Sequence, residues 1–93
     1  MIESFGCKYT EKVWKAERTK KWSDEVVNRA LRKMFMLNAA TDIKDLMIPP
    51  SNKLHKLRGN FKDYWSVSIN VQWRLIFKWE GNNAHEVQVI DYH

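Results

Sequence analysis

One cysteine, two prolines and three glycines are all that this chain has of the residues that staple, break or loosen a backbone. Cys7 alone cannot close an intramolecular disulfide, so the fold has to be held by its core, and a reducing cytosol is the expected compartment. Long apolar runs are missing as well: no stretch approaches the roughly 20 apolar residues that cross a bilayer. Met1-Ile2-Glu3-Ser4-Phe5 lacks the basic and apolar blocks of a secretory signal. Acids are the scarcer charge, 11 against 16 Lys and Arg, and the resulting net charge of +5 makes polyanions, nucleic acid first, the partner class to consider.

Aromatics are plentiful, with five tryptophans among 93 residues. That number suits one domain spanning residues 1–93 with one modest core, ordered almost end to end. Ile2 to Phe5 reads as an edge strand, and Val13, Trp14 and Glu17 predict a short helix over Thr10 to Glu17. The clearest start signal follows. Ser23 can cap, Asp24 and Glu25 occupy the first turn where the helix dipole favours acids, and Trp22 can staple onto Val27. Val27, Ala30, Leu31, Met34 and Leu37 then paint one apolar stripe, with Arg29, Arg32 and Lys33 largely on the other side. A further helical turn is predicted over Asp42 to Met47, and Pro49-Pro50-Ser51-Asn52 should end helical structure.

After that loop the pattern alternates. A strand is expected around Lys53 to Leu57. Trp65, Val67 and Ile69 share one parity, and Trp73, Leu75, Phe77 and Trp79 continue it, with a tight turn at Asn70-Val71. Gly81-Asn82-Asn83 offers a second turn before a strand with His85, Val87 and Val89 on one face. The fold class is α+β in two layers: an N-terminal strand and helices packed on one face of a mainly antiparallel sheet, with the other face partly open. Period-2 alternation places Arg74 opposite Trp73, on the face that the helices need not cover.

Lys53-Leu54-His55-x-Leu57-Arg58-Gly59, Tyr64-Trp65-Ser66-Val67, Gln72-Trp73-Arg74-Leu75-Ile76-Phe77 and the closing Asp91-Tyr92-His93 together resemble the HigB toxins, members of the RelE-like superfamily also labelled plasmid maintenance system killer proteins. Ala39-Ala40-Thr41-Asp42-Ile43 and the Met1-Ile2-x-Ser4-Phe5 start extend the likeness over nearly the whole chain. The resemblance implies a RelE-like fold and a bacterial, cytoplasmic toxin of a type II toxin–antitoxin system. Such a toxin is a ribosome-dependent endoribonuclease that cuts messenger RNA in the A site of the 70S ribosome and halts translation and growth. A cognate HigA-like helix-turn-helix antitoxin sequesters it, operator DNA is met only through that antitoxin, and no membrane and no cofactor is implied. His85, Asp91 and His93 could be drawn as a metal site, but their spacing matches no standard ligand motif.

Attack of an RNA 2′-hydroxyl on the adjacent phosphorus needs a base, charge stabilisation on the phosphate and an acid for the leaving 5′-oxygen, and imidazole titrates near neutrality. The resemblance implies His93 as principal acid or base, Asp91 and Tyr92 as its supports, and His55 as a second imidazole. Arg74 is the candidate for stabilising the phosphorane, since a guanidinium is permanently charged and forked. Arg58, Lys53 and Lys56 are candidates for holding the RNA backbone; Arg58 stands where some relatives carry lysine. The competing class is a non-catalytic basic module that docks on RNA or DNA, or a degenerate toxin that only binds its antitoxin.

Overall fold

The computed structural model describes residues 1–91. Helix α1 spans Lys8–Trp14, starting and stopping earlier than the predicted Thr10 to Glu17. Its end has a local cause. Ala16 turns left-handed at φ 59°, its N–H donates to the Val13 carbonyl at 3.1 Å and the Glu17 N–H donates to the Lys12 carbonyl at 2.8 Å, a Schellman closure that satisfies the last carbonyls. Helix α2 spans Asp24–Ala39, and the Ser23 hydroxyl accepts from the Val26 N–H at 3.3 Å as the capping signal predicts. Ser23→Ala is expected to lower stability by about 1 kcal/mol, a drop of about 4–8 °C in a thermal melt followed by circular dichroism.

The stripe that α2 buries is Val26, Ala30, Met34 and Leu37. Val27 and Leu31, expected inside it, are only half-buried at its margin, because the helix is rolled so that Val26 rather than Val27 meets the sheet. Asp42 caps a 3-10 turn over Ile43–Met47, with Asp45 reaching back to the Asp42 N–H in a capping box. Helical structure does not end at the prolines. Pro50–Asn52 makes one more 3-10 turn, which a proline at the first position tolerates because no donor is needed there.

The sheet is a four-stranded antiparallel meander in the order β1 (His55–Lys56), β2 (Trp65–Ser68), β3 (Trp73–Glu80) and β4 (Asn83–Asp91). Strand β1 uses only two of the residues expected around Lys53 to Leu57, since Lys53 turns left-handed and Gly59–Phe61 forms another 3-10 turn. The β2–β3 connection is wider than a two-residue turn: Asn70 Oδ1 accepts from the N–H groups of Gln72 at 2.8 Å and Trp73 at 2.7 Å. Gly81 and Asn82 both take positive φ in the second turn, as a twist-matched hairpin requires.

In β4 the expected alternation breaks. Register slips between Ile76 and Lys78 on the partner strand, Glu86 adopts φ 52°, and the buried residues change parity from Ala84 to Val87 and Val89. This bulge also explains why Ile2 to Phe5 is not a strand. Ile2 and Phe5 make isolated parallel bridges to Ala84 and Val87, one on each side of the irregular backbone. Gly6 lets the segment pass, since a Cβ there would stand 2.6 Å from Gln88 Nε2 and 3.1 Å from the Glu86 carbonyl.

Val67, Leu75, Phe77, Val87 and Val89 face the helices and close the core with Met34 and Leu37. The opposite face is less open than expected. Ser66, Arg74 and Ile76 at its centre retain 0, 7 and 0 % of their surface. No helix among the described residues is long and apolar enough to cross a membrane.

Candidate functional site

Antiparallel partners share a face, so the register His55↔Ser66↔Ile76↔Gln88 and Ser68↔Arg74↔Ile90 assembles the helix-free surface residue by residue. Arg74 is its fixed point. Its Nε donates to the Ser66 hydroxyl, its Nη2 donates to the Lys53 carbonyl at 3.1 Å, and the same Nη2 stands 3.4 Å from His55 Nδ1. A buried guanidinium needs such acceptors to offset its lost hydration.

Lys53 matters here through its backbone. Its left-handed conformation, at φ 48° and ψ 47°, accompanies a carbonyl that accepts from Arg74 and lies 2.8 Å from His55 Nδ1. A carbonyl can only accept, so the shorter of the two Nδ1 contacts is a donation from Nδ1–H to Lys53, and it fixes the orientation of the ring. In the sequence it is the lysine side chains that draw attention to this segment. The structure uses the carbonyl.

His55, Lys56, Arg58 and Asp91 line one open cleft of about 440 Å³, together with Leu57, Phe61 and Ile90. Arg58 is exposed and precedes the Gly59–Phe61 turn, and Asp91 accepts from Gln72 Nε2 at 3.1 Å. Lys56 alternates away from His55, and its ammonium lies 5.7 Å above the Trp65 ring. Tyr92 and His93 lie outside the described residues. His85 and Asp91 stand six residues apart along β4, about 20 Å of extended chain, so they cannot share one metal ion.

Two further residues join the site that motif reasoning does not single out. Ser66 has the same parity as Arg74 on the neighbouring strand, a signal that alternation already carries. Phe61, 42 % exposed, sits in a loop, where an aromatic between polar neighbours after Gly59 is the available cue. Tyr64 is tethered: its hydroxyl donates to Glu86 Oε1 at 3.2 Å and Lys78 Nζ sits 5.3 Å from its ring centre. Burial first, and the Glu86 charge second, push the Tyr64 phenol above its ordinary pKa.

Residues 3–93 match the family model described as HigB-like toxin, RelE-like toxin of type II toxin-antitoxin system HigB. The chain belongs to the HigB-like toxin family. Among curated relatives, Toxin HigB-1 of Vibrio cholerae serotype O1 is 36 % identical over 80 residues, covering 85 % of this chain and 84 % of its own. Endoribonuclease HigB of Proteus vulgaris is 29 % identical over 93 residues, the full length of both chains. The fold of this HigB-like toxin is that of YafQ from E. coli, whose crystal structure superposes at a TM-score of 0.67 and 19 % identity, over 99 % of this chain and 94 % of the other. A chain of the YoeB-YefM complex from Staphylococcus aureus superposes at a TM-score of 0.63 and 16 % identity, over 100 % of this chain and 98 % of the matched one.

Proposed function

We propose that this HigB-like toxin is a ribosome-dependent endoribonuclease that cuts messenger RNA in the ribosomal A site. The observation that carries the reading is the His55–Arg74 pair, an imidazole and a guanidinium 3.4 Å apart and both tied to one carbonyl, at the edge of an open cleft. In the proposed step the 2′-oxygen bonds to phosphorus as the bond from phosphorus to the 5′-oxygen breaks. A base takes the 2′-hydroxyl proton and an acid protonates the departing 5′-oxygen, leaving a 2′,3′-cyclic phosphate. His93 is the principal proton carrier, with Asp91 and Tyr92 beside it in sequence as supports, and His55 is a second imidazole. Arg74 meets the charge that grows on the phosphorane, which a fixed donor array stabilises without reorganising. Arg58, Lys53 and Lys56 hold the flanking phosphates.

The partner that restrains this activity is a HigA-like helix-turn-helix antitoxin, through which alone the complex would meet operator DNA, and the bacterial cytoplasm is where both act. Messenger 5′-end mapping after brief induction of the chain in a growing bacterium tests the function. Codon-phased new ends with growth arrest are the expected result. Intact messengers would leave the non-catalytic binding module as the better reading.

A further inference from the structure

We propose that the groove between the outer face of α2 and the β2–β3 turn is the path along which the messenger strand leaves Arg74, gripped through its phosphates. The inference rests on the endoribonuclease reading and adds to it a substrate-holding surface away from the cleft. Arg29, Arg32, Lys33, Lys53 and Arg74 line this open groove of about 630 Å³, and among the described residues no carboxylate belongs to its wall. Arg29, Arg32 and Lys33 are spaced three and four apart, so α2 presents them on one side while Ala30, Met34 and Leu37 enter the core.

A basic helix face is commonly just solvated. Two features set this one apart. Lys33 is oriented: its Nζ donates to Asn52 Oδ1 at 2.5 Å, and the fully buried Asn52 donates in turn to the Leu46 carbonyl at 3.1 Å. Burial first, and the Arg29 charge second, hold the Lys33 ammonium below its ordinary pKa, and the smaller Arg29 contribution is the part that a bound polyanion relieves. The Arg29–Glu25 pair at 3.4 Å is exposed on both sides and offers little resistance to a phosphate.

The second feature is continuity. Arg74 lines the groove and approaches His55 of the cleft, and Lys53 lines the groove while its carbonyl holds both. A strand with its scissile phosphate at Arg74 therefore runs on directly over the cations of α2. A protein partner would not need that continuity.

The test is fluorescence anisotropy with RNA carrying a 2′-deoxy residue at the scissile position, as a trinucleotide and as a nonanucleotide, at stepped salt. Wild type should hold the longer strand more tightly. Arg29→Ala/Arg32→Ala, which alters two exposed side chains, should weaken the nonanucleotide about tenfold and leave the trinucleotide unchanged. The salt slope should become shallower by about 1.4, roughly 0.7 for each phosphate that is no longer neutralised. The proposal is overturned if wild type shows no preference for length, if the double variant holds the nonanucleotide like wild type, or if it weakens both strands equally. It is also overturned if the variant loses affinity only for the antitoxin. Length-dependent binding without any messenger cleavage would refute the nuclease reading and leave the groove standing; cleavage with unaltered binding by the variant would do the reverse.

Discussion

Arg74→Lys is expected to lower cleavage on programmed ribosomes by about 10²–10³-fold, the range found when one donor aimed at a developing oxyanion is lost. Lysine keeps the charge. It cannot reproduce the fork by which Nε reaches the Ser66 hydroxyl while Nη2 reaches the Lys53 carbonyl beside His55, so the charge is no longer fixed in place. Strand alternation alone puts Arg74 outside the core, where an alanine variant would be harmless to folding. With 7 % of its surface exposed, Arg74 is instead part of the packed sheet face, and alanine would strand a fully buried Ser66 hydroxyl and a carbonyl. Lysine is the cleaner test for that reason, with a thermal melt beside the kinetics. The expected melt shows a loss of about 1–2 kcal/mol. Cleavage within roughly threefold of wild type would remove Arg74 from the proposed transition state.

His93→Ala is expected to have the other large effect, a fall of about 10²–10⁴-fold in the single-turnover rate with KM little changed, because a proton carrier contributes to the transition state and scarcely to the ground state. A quench-flow series on ribosomes carrying a defined A-site codon measures both constants. The pH profile adds a readout that loss of packing would not produce: the limb belonging to the missing imidazole should vanish. His55→Ala run in parallel separates the two histidines. If His93→Ala cuts within about tenfold of wild type while His55→Ala does not, the principal role passes to His55, whose ring the Lys53 carbonyl holds beside Arg74.

How legible is this protein in its sequence? The α2 cap, the meander and the placement of Arg74 opposite Trp73 can be read because each depends on a short period or a nearby pair of residues, and the structure bears out the layered α+β arrangement. The early end of α1 is harder, since its left-handed residue is Ala16 and not the glycine that normally announces such a turn. The β4 bulge leaves no local mark at Glu86. Its conformation accompanies a register slip against β3 and the passage of Gly6 alongside, both non-local.

The residues that carry chemistry divide in the same way. Sequence by itself determined the types available, their parity on each strand and the family that their joint spacing belongs to, because those follow from covalent order and the two-residue repeat of a strand. Only the tertiary structure decided that the Lys53 carbonyl holds Arg74 and His55, that Ser66 anchors the guanidinium and that α2 delivers its cations beside the β2–β3 turn. Apart from the Lys53–His55 contact, those pairings join residues 8 positions apart and more along the chain, and they exist only once the helices and the sheet have packed on a common core.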